Sequence, residues 1–302
     1  MTIAEKIRSL LATGRPLLMP GVFDALTARM AVQAGFEVIF TSGYSMSATR
    51  LASPDFGLLT ATEMIDVTQK VCAAVPGVPL IVDADTGYGN AINTIRTVKD
   101  LQQAGAAGMF LEDQVWPKKC GHMAGKVVVP IEEYEAKLQA AIDSRGDRDF
   151  FIVARTDARA PLGLRESIKR AQRAQRMGAD ATFIEAPQSI DEMREIAREV
   201  PGVRVANMLE KGKTPLQTPD ELHQIGFDLI VHPLTALYAA ARAYATVFKL
   251  LREKGTTREN LDLLLPWADF HKVVDLDRYY ELEKRYSTVT DGLPPTTQTF
   301  NS

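Results

Sequence analysis

Cysteine is scarce in this chain: two residues of 302, Cys72 and Cys120. So sparse a set builds no disulfide framework, and a reducing compartment, the cytoplasm, is the expected setting. Long apolar runs are missing as well. No stretch approaches the roughly 20 residues that span a bilayer. The opening residues Met1-Thr2-Ile3-Ala4-Glu5-Lys6 lack the apolar centre of a secretion signal, and no membrane partner is expected. Neither sign of charge is in excess. Lysine and arginine number 35 against 38 aspartate and glutamate, a net charge of −3, which gives no electrostatic ground for binding nucleic acid. Histidine is thin and scattered: His122, His223, His232 and His271 do not fall at zinc-ligand spacing. No Gly-x-Gly-x-x-Gly opens a helix after the first strand, which argues against a dinucleotide site.

What the chain does have is a repeated unit. Hydrophobic residues make up 46% of it, and short apolar runs recur near 17–23, 38–42, 80–84, 108–112, 150–155, 181–185, 203–208 and 229–233. Several follow a helix that stops at glycine: Ala34-Gly35-Phe36, Ala104-Gly105-Ala106, Met177-Gly178-Ala179 and Ile225-Gly226-Phe227. Capping-box pairs open helices at Thr2/Glu5, Thr60/Glu63, Ser189/Glu192 and Thr218/Glu221. Eight βα units argue for a closed α/β barrel of the (β/α)8 TIM type over an open doubly wound sheet. We expect one domain over 1–302, with a helical extension from about residue 255. A long helix is expected over Thr235 to Lys254, a short one over Thr257 to Leu265 and another over Asp275 to Tyr286. Leu261, Leu263, Leu264, Leu265, Trp267 and Phe270 make the tail too apolar to be solvated, so it packs on the barrel or on a neighbouring subunit. From Thr288 onward a Pro- and Thr-rich stretch reads as frayed.

Barrel enzymes place their chemistry at the C-terminal ends of the strands. Those ends carry Ser42, Asp83, Asp85, Glu112, Asp113, Arg155, Asp157, Glu185, Asn207 and His232. Asp83 and Asp85 share a face if the strand persists through both. With Glu112 they offer hard oxygens suited to Mg²⁺ or Mn²⁺ held partly through water. Arg155 is a planar fork for a carboxylate, or else pairs with Asp157 or Glu185 and orients the site. No lysine ends a strand, which speaks against a Schiff-base aldolase. The stretch from Trp116 to Lys126 sets Cys120 among Lys118, Lys119 and His122. Such positive neighbours favour a thiolate and a pKa nearer neutrality than the free value of about 8.5. Gly121, Gly125 and exposed lysines make the segment a candidate mobile lid.

Asp83-Ala84-Asp85-Thr86-Gly87-Tyr88-Gly89, Glu112-Asp113-Gln114, Lys118-Lys119-Cys120-Gly121-His122, Ala154-Arg155-Thr156-Asp157-Ala158 and Asn207-Met208-Leu209-Glu210 resemble the isocitrate lyase/phosphoenolpyruvate mutase superfamily. The likeness runs from about Leu17 to Phe248. The lysine-lysine-cysteine-glycine-histidine run is similar to that of its carbon–carbon lyase branch. The resemblance implies a Mg²⁺-dependent barrel in which Mn²⁺ can substitute, usually a homotetramer, with a C-terminal helix exchanged between subunits. It implies metal anchoring by Asp83, Asp85 and Glu112, and stabilisation of the alkoxide by the metal and Arg155. It further implies that Cys120 protonates the departing carbanion, that Ser42, Gly43 and Tyr44 bind the oxo-acid carboxylate, and that Gly121, His122, Glu185 and Asn207 surround the leaving one.

The chain departs from the methylisocitrate lyases where they carry arginines, having Tyr238 and Trp267 there, and Phe40 where they carry tyrosine. Thr41 to Ser47 and Glu185-Ala186-Pro187 look more like the dimethylmalate lyase and petal-death group. The expected substrate is therefore a 2-alkylmalate, cleaved to pyruvate and a carboxylate, with Met208, Leu209, Tyr238 and Trp267 facing its alkyl group. Methylisocitrate cleavage, oxaloacetate hydrolysis or decarboxylation, and a phosphonate mutase are the alternatives. A non-catalytic binding barrel is the reading from another class.

Overall fold

The computed structural model describes residues 1–146 and 149–287; the stretch expected to fray from Thr288 lies outside them. In chain order the elements are α1 (Ile3–Leu11), β1 (Leu17–Val22), α2 (Ala25–Gln33), β2 (Ile39–Thr41), α3 (Gly43–Leu51), α4 (Ala61–Ala74), β3 (Leu80–Asp83), α5 (Ala91–Gln103), β4 (Gly108–Glu112), α6 (Ile131–Asp143) and β5 (Phe151–Thr156). Then come α7 (Arg159–Leu162), α8 (Leu164–Met177), β6 (Ala181–Ile184), α9 (Ile190–Glu199), β7 (Val203–Asn207), α10 (Pro219–Ile225), β8 (Leu229–His232), α11 (Thr235–Lys254), α12 (Trp267–Val273) and α13 (Leu276–Tyr286). The eight strands close in sequence order into a barrel, all neighbours parallel, with β1 pairing β8 from Leu17↔Leu229 to Pro20↔His232. This is the (β/α)8 architecture expected.

Strand alternation sorts the core into layers. Leu17, Met19, Phe40, Ile81, Phe110, Phe151, Val153, Phe183, Val205, Leu229 and Val231 fill the barrel interior, with Ala4 and Ile7 of α1 in the same cluster. The intervening residues, such as Ile39, Leu80, Val82, Met109 and Ile152, pack outward against helices, as do Ile184, Ala206 and Ile230. Helix starts are fixed by side chains. Thr2, Thr60 and Thr218 form reciprocal capping boxes, each worth on the order of 1 kcal/mol. Ser189 caps α9 alone, because Glu192 turns to Arg159 instead.

Two compact units result, Met1–Ala240 and a second from Ala241 onward. In the second, the helix expected over Thr257 to Leu265 shrinks to a 3₁₀ turn at Leu261–Leu263. Pro266 then starts α12, which the sequence reading lacked. Tyr244, Phe248, Leu261, Leu265 and Trp267 stand exposed there. Among the described residues, no helix is long and apolar enough to cross a membrane.

Candidate active site

Inward alternation carries past the hydrophobic layers to the C-terminal mouth. The next inward positions after Phe40, Ile81, Phe110, Val153, Phe183 and Val205 are Ser42, Asp83, Glu112, Arg155, Glu185 and Asn207. Parity also separates neighbours: Glu112 points in, while Asp113 points out and is spent on structure. Asp113 accepts from Thr156 Oγ1 at 2.6 Å, from Asp157 N at 2.8 Å and from Arg170 Nη1 of α8 at 2.9 Å. Three phenylalanines floor the cavity. Phe40 meets Phe110 edge-on at 5.0 Å, Phe110 meets Phe183 at 5.9 Å, and the Arg155 guanidinium lies 5.4 Å above Phe183.

Arg155 is fully engaged by carboxylates. Its Nε donates to Asp157 Oδ2 at 2.9 Å, Nη1 is 3.1 Å from Glu112 Oε2, and Nη2 is 3.3 Å from Glu185 Oε2. Of the two roles left open by the sequence, the orienting one is the one the geometry displays. Burial would push the Glu185 carboxyl up, but Arg155, His122 and Lys126 outweigh it and hold it well below the usual carboxylate range. His122 Nδ1 accepts from Lys213 N at 3.0 Å, so the ring proton sits on Nε2, 3.3 Å from Glu185 Oε1. Asn207 Nδ2 bridges both Glu185 oxygens at 3.3 Å. Gly121 has no room for a side chain: a Cβ there would lie 2.5 Å from Glu185 Cγ.

The expected lid differs in character. Lys118 is 2% exposed, its Nζ 2.8 Å from Asp55 Oδ2 and 2.6 Å from Asp85 Oδ1. Lys126 is buried on Asp157 at 2.7 Å. Neither lysine is the exposed cation expected; both are roots that hold the segment down. Burial would lower the Lys118 pKa, but Asp85 and Asp55 hold it well above the usual value, so this buried amine is no Schiff-base former. The loop base is tied by Val115 N to Val127 O at 2.8 Å and by Gln114 Nε2 to Lys119 O at 2.8 Å.

Cys120 overturns its expectation. Burial, opposed by the His122 backbone and Arg155 and aided by Asp55 and Glu185, pushes the thiol up to about 11. Lys118 is paired with Asp55 and Asp85, and the Lys119 ammonium turns away to donate to the Gly125 carbonyl. A thiol raised in this way stays S–H at neutral pH, at the cavity wall.

Asp83 and Asp85 meet, but not by strand alternation. β3 stops at Asp83, and Asp85 sits in a turn with φ +48°. Gly43, opening α3, lies between the two carboxylates: a Cβ on it would be 3.1 Å from Asp83 Oδ2 and 3.3 Å from Asp85 Oδ1. Gly43 N donates to Asp83 Oδ2 at 3.1 Å. Both oxygens of Glu112, and Asp85 Oδ1 apart from its ion pair, are buried without a hydrogen bond. Burial raises the Asp85 carboxyl to about 7 and Glu112 well above its usual value, despite Lys118 and Arg155. Orphaned, desolvated carboxylate oxygens fit a bound cation. Among the described residues, no three His, Cys, Asp or Glu groups close into a ligand cage; Glu112 leans on Arg155 instead. That suits an ion such as Mg²⁺, which keeps several waters and takes one or two carboxylates directly.

Met208, expected at the cavity, turns outward into the helix-side core, its sulfur accepting from Gln217 N. Leu209 does line the cavity, joined by Phe40, Val231, Pro233 and Leu234. Tyr238, also expected to face the substrate, is 45% exposed and is not among the side chains that line the cavity. Asp55, which also lines the cavity, was invisible in sequence: it sits in an irregular stretch after α3 with no motif around it. The cavity is open-mouthed, about 480 Å³ with solvent at the mouth included.

A closed (β/α)8 barrel with carboxylates, a held guanidinium and a loop-borne thiol at its C-terminal mouth belongs among barrel enzymes of small-acid chemistry. Residues 7–252 match the phosphoenolpyruvate phosphomutase family, and the chain belongs to the isocitrate lyase/phosphoenolpyruvate mutase superfamily. It is 53% identical to the petal death protein of Dianthus caryophyllus, over 91% of this chain and 86% of that one. It is 55% identical to the chloroplastic carboxyvinyl-carboxyphosphonate phosphorylmutase of Arabidopsis thaliana, over 93% and 84%. With the 2,3-dimethylmalate lyase of Eubacterium barkeri it shares 41% over 95% and 99%. Among solved structures, a 2,3-dimethylmalate lyase superposes with a TM-score of 0.90 at 31% identity, covering 97% and 99%. An oxaloacetate acetylhydrolase bound to 3,3-difluorooxalacetate gives 0.89 at 34%, covering 94% and 97%. A phosphonopyruvate hydrolase with oxalate and Mg²⁺ gives 0.84 at 31%, covering 95% and 99%. The protein is an enzyme of this superfamily, a carbon–carbon lyase.

Proposed function

We propose that the protein cleaves a 2-alkylmalate, such as 2-methylmalate or 2,3-dimethylmalate, at C2–C3 to pyruvate and a carboxylate, with Mg²⁺ as cofactor. The observation that carries this is the cavity wall. Among the described residues that line it, Arg155 is the one permanent cation, and three carboxylates already hold it. A tricarboxylate would bring a third anion with nothing to meet it, a costly arrangement when desolvated. Phe40, Leu209, Val231 and Leu234 offer an alkyl group a dry face instead.

Mg²⁺ held at Asp83, Asp85 and Glu112 would supply Lewis-acid polarisation of the substrate's C2 oxygen and carboxylate. The chain's own groups do the rest. Ser42, Gly43 and Tyr44 at the start of α3 present hydroxyls and helix N–H groups to the oxo-acid carboxylate. Arg155, immobilised by its acids, keeps a fixed positive field where negative charge accumulates as C2–C3 breaks. Gly121, His122, Glu185 and Asn207 form one linked wall around the departing carboxylate. The Cys120 S–H gives its proton to C3 of that fragment.

The subunits are proposed to form a cytoplasmic homotetramer, a dimer of helix-swapped dimers, though the Arabidopsis relative is named as chloroplastic. Pyruvate release measured side by side from 2-methylmalate, 2,3-dimethylmalate, methylisocitrate and oxaloacetate tests the reading. The alkylmalates should win, chelation should abolish turnover, and Mn²⁺ should restore it. Preference for methylisocitrate, or turnover only with a phosphonate, would overturn the substrate assignment.

A further inference from the structure

Lys126 is a buried cation that the proposed chemistry does not use. It lies six residues beyond Cys120 in a loop, yet its side chain is 0% exposed. Its ammonium has two partners. One is Asp157 Oδ1 at 2.7 Å; the other is the carbonyl of Gly121, the residue next to the thiol. Asp157 is itself 0% exposed and receives Arg155 through Nε at 2.9 Å and Nη2 at 3.3 Å. Its backbone N donates to Asp113, which Arg170 anchors to α8. The chain of contacts therefore runs from the Cys120-Gly121 backbone through Lys126 to the acid that aims Arg155, and on to the barrel wall.

We propose that Lys126 is a positioning residue: it straps the Cys120-Gly121-His122 segment onto Asp157, so that loop closure and the orientation of Arg155 are set together. The inference rests on the reading of Cys120 as the proton donor for its kinetic consequence, but not for its structural one. Lys118 roots the other end of the loop on Asp55 and Asp85, and cannot replace this contact, because it approaches from the opposite flank and leaves the Gly121 carbonyl unmet. A fixed thiol matters because a displacement of about 1 Å costs on the order of 10²-fold in rate.

The test uses Lys126→Met, which keeps the stem and removes the charge. With Mg²⁺ and oxalate present, Cys120 alkylation by iodoacetamide, located by peptide mass, should be about tenfold faster than in the parent. Turnover should fall about 10–100-fold with KM changed less than about threefold. Methylammonium should recover part of the rate in Lys126→Ala. Because Lys126→Met could fail to fold, hydrogen exchange of residues 117–127 in the unmodified protein with Mg²⁺ and oxalate is measured too. Strong protection at Gly121 and His122 is expected. Unchanged alkylation in a folded variant, or exchange as fast as an open loop, would overturn the strap. If no alkylmalate is cleaved but alkylation still accelerates, the substrate reading fails and the strap stands.

Discussion

At the scale of single residues, the site turns on a thiol that is kept protonated. Burial is the largest cause, and the lysines beside the thiol are turned elsewhere: Lys118 to Asp55 and Asp85, Lys119 to the Gly125 carbonyl and Lys126 to Asp157. A nucleophilic role asks for thiolate at neutral pH, whereas the proton donor proposed above asks for S–H, which is the form burial favours. Cys120→Ser should keep the fold and substrate binding while turnover drops by about 10²–10⁴-fold, since a hydroxyl is a far weaker acid. Steady-state kinetics with 2,3-dimethylmalate, alongside circular dichroism, checks this. Parent-rate cleavage by the variant would remove Cys120 from the mechanism.

At the scale of elements, α1 closes the N-terminal end of the barrel. Ala4 and Ile7 join the interior cluster with Leu17, Met19 and Phe151, and Arg8 ties the helix down by Asp149 at 2.6 Å and Asp180 at 2.8 Å. Hydrogen bonds from Arg8 hold the Asp149 carboxyl below its ordinary 3.8, helped by Thr2 and opposed by burial. The sign follows. A carboxyl depressed in the folded state adds stability that is complete above the unfolded value and vanishes as pH falls through the folded one. Asp149→Asn should cost about 1 kcal/mol at pH 7, a figure discounted for its partial exposure. The gap to the parent in urea unfolding should stay constant down to about pH 5 and close below 3.8. A gap that widens in acid would contradict it.

The same scale shows what sequence could reveal. All eight strands were legible because each is a short buried run between a glycine-terminated helix and a polar end, and the inward parity of those runs already marks Asp83, Glu112, Arg155, Glu185 and Asn207 as one ring. Helix α3 was not foreseen, because Gly43 to Leu51 alternates small and polar residues with no apolar stripe. The leucines before Pro266 suggested a helix, where only Leu261–Leu263 turns. The burial of Lys118 depends on Asp55, 63 residues earlier, a pairing no local pattern encodes.

At the scale of the whole molecule, the second unit carries large apolar side chains that a single chain leaves in water. Phe248 is 66% exposed, Trp267 68% and Leu261 62%, with Tyr244 stacked on Phe248 at 6.2 Å along one stripe of α11. Exposed large apolar side chains of this kind suit an association face, and aromatic anchors contribute most where they are fully desolvated. A tetramer supplies the covering without new sequence, since each copy offers the same stripe. On the tetramer proposed above, light scattering should give four times the 33.2 kDa of one chain. Introducing Phe248→Glu with Trp267→Glu puts charges at the centre of the face, where desolvating an unpaired carboxylate costs more than the contact returns. The doubly substituted protein should run as dimer or monomer with its helical circular dichroism retained, because neither side chain belongs to the barrel's core clusters. A parent protein that is monomeric at micromolar concentration, or a variant that stays tetrameric, would place the subunit contact elsewhere.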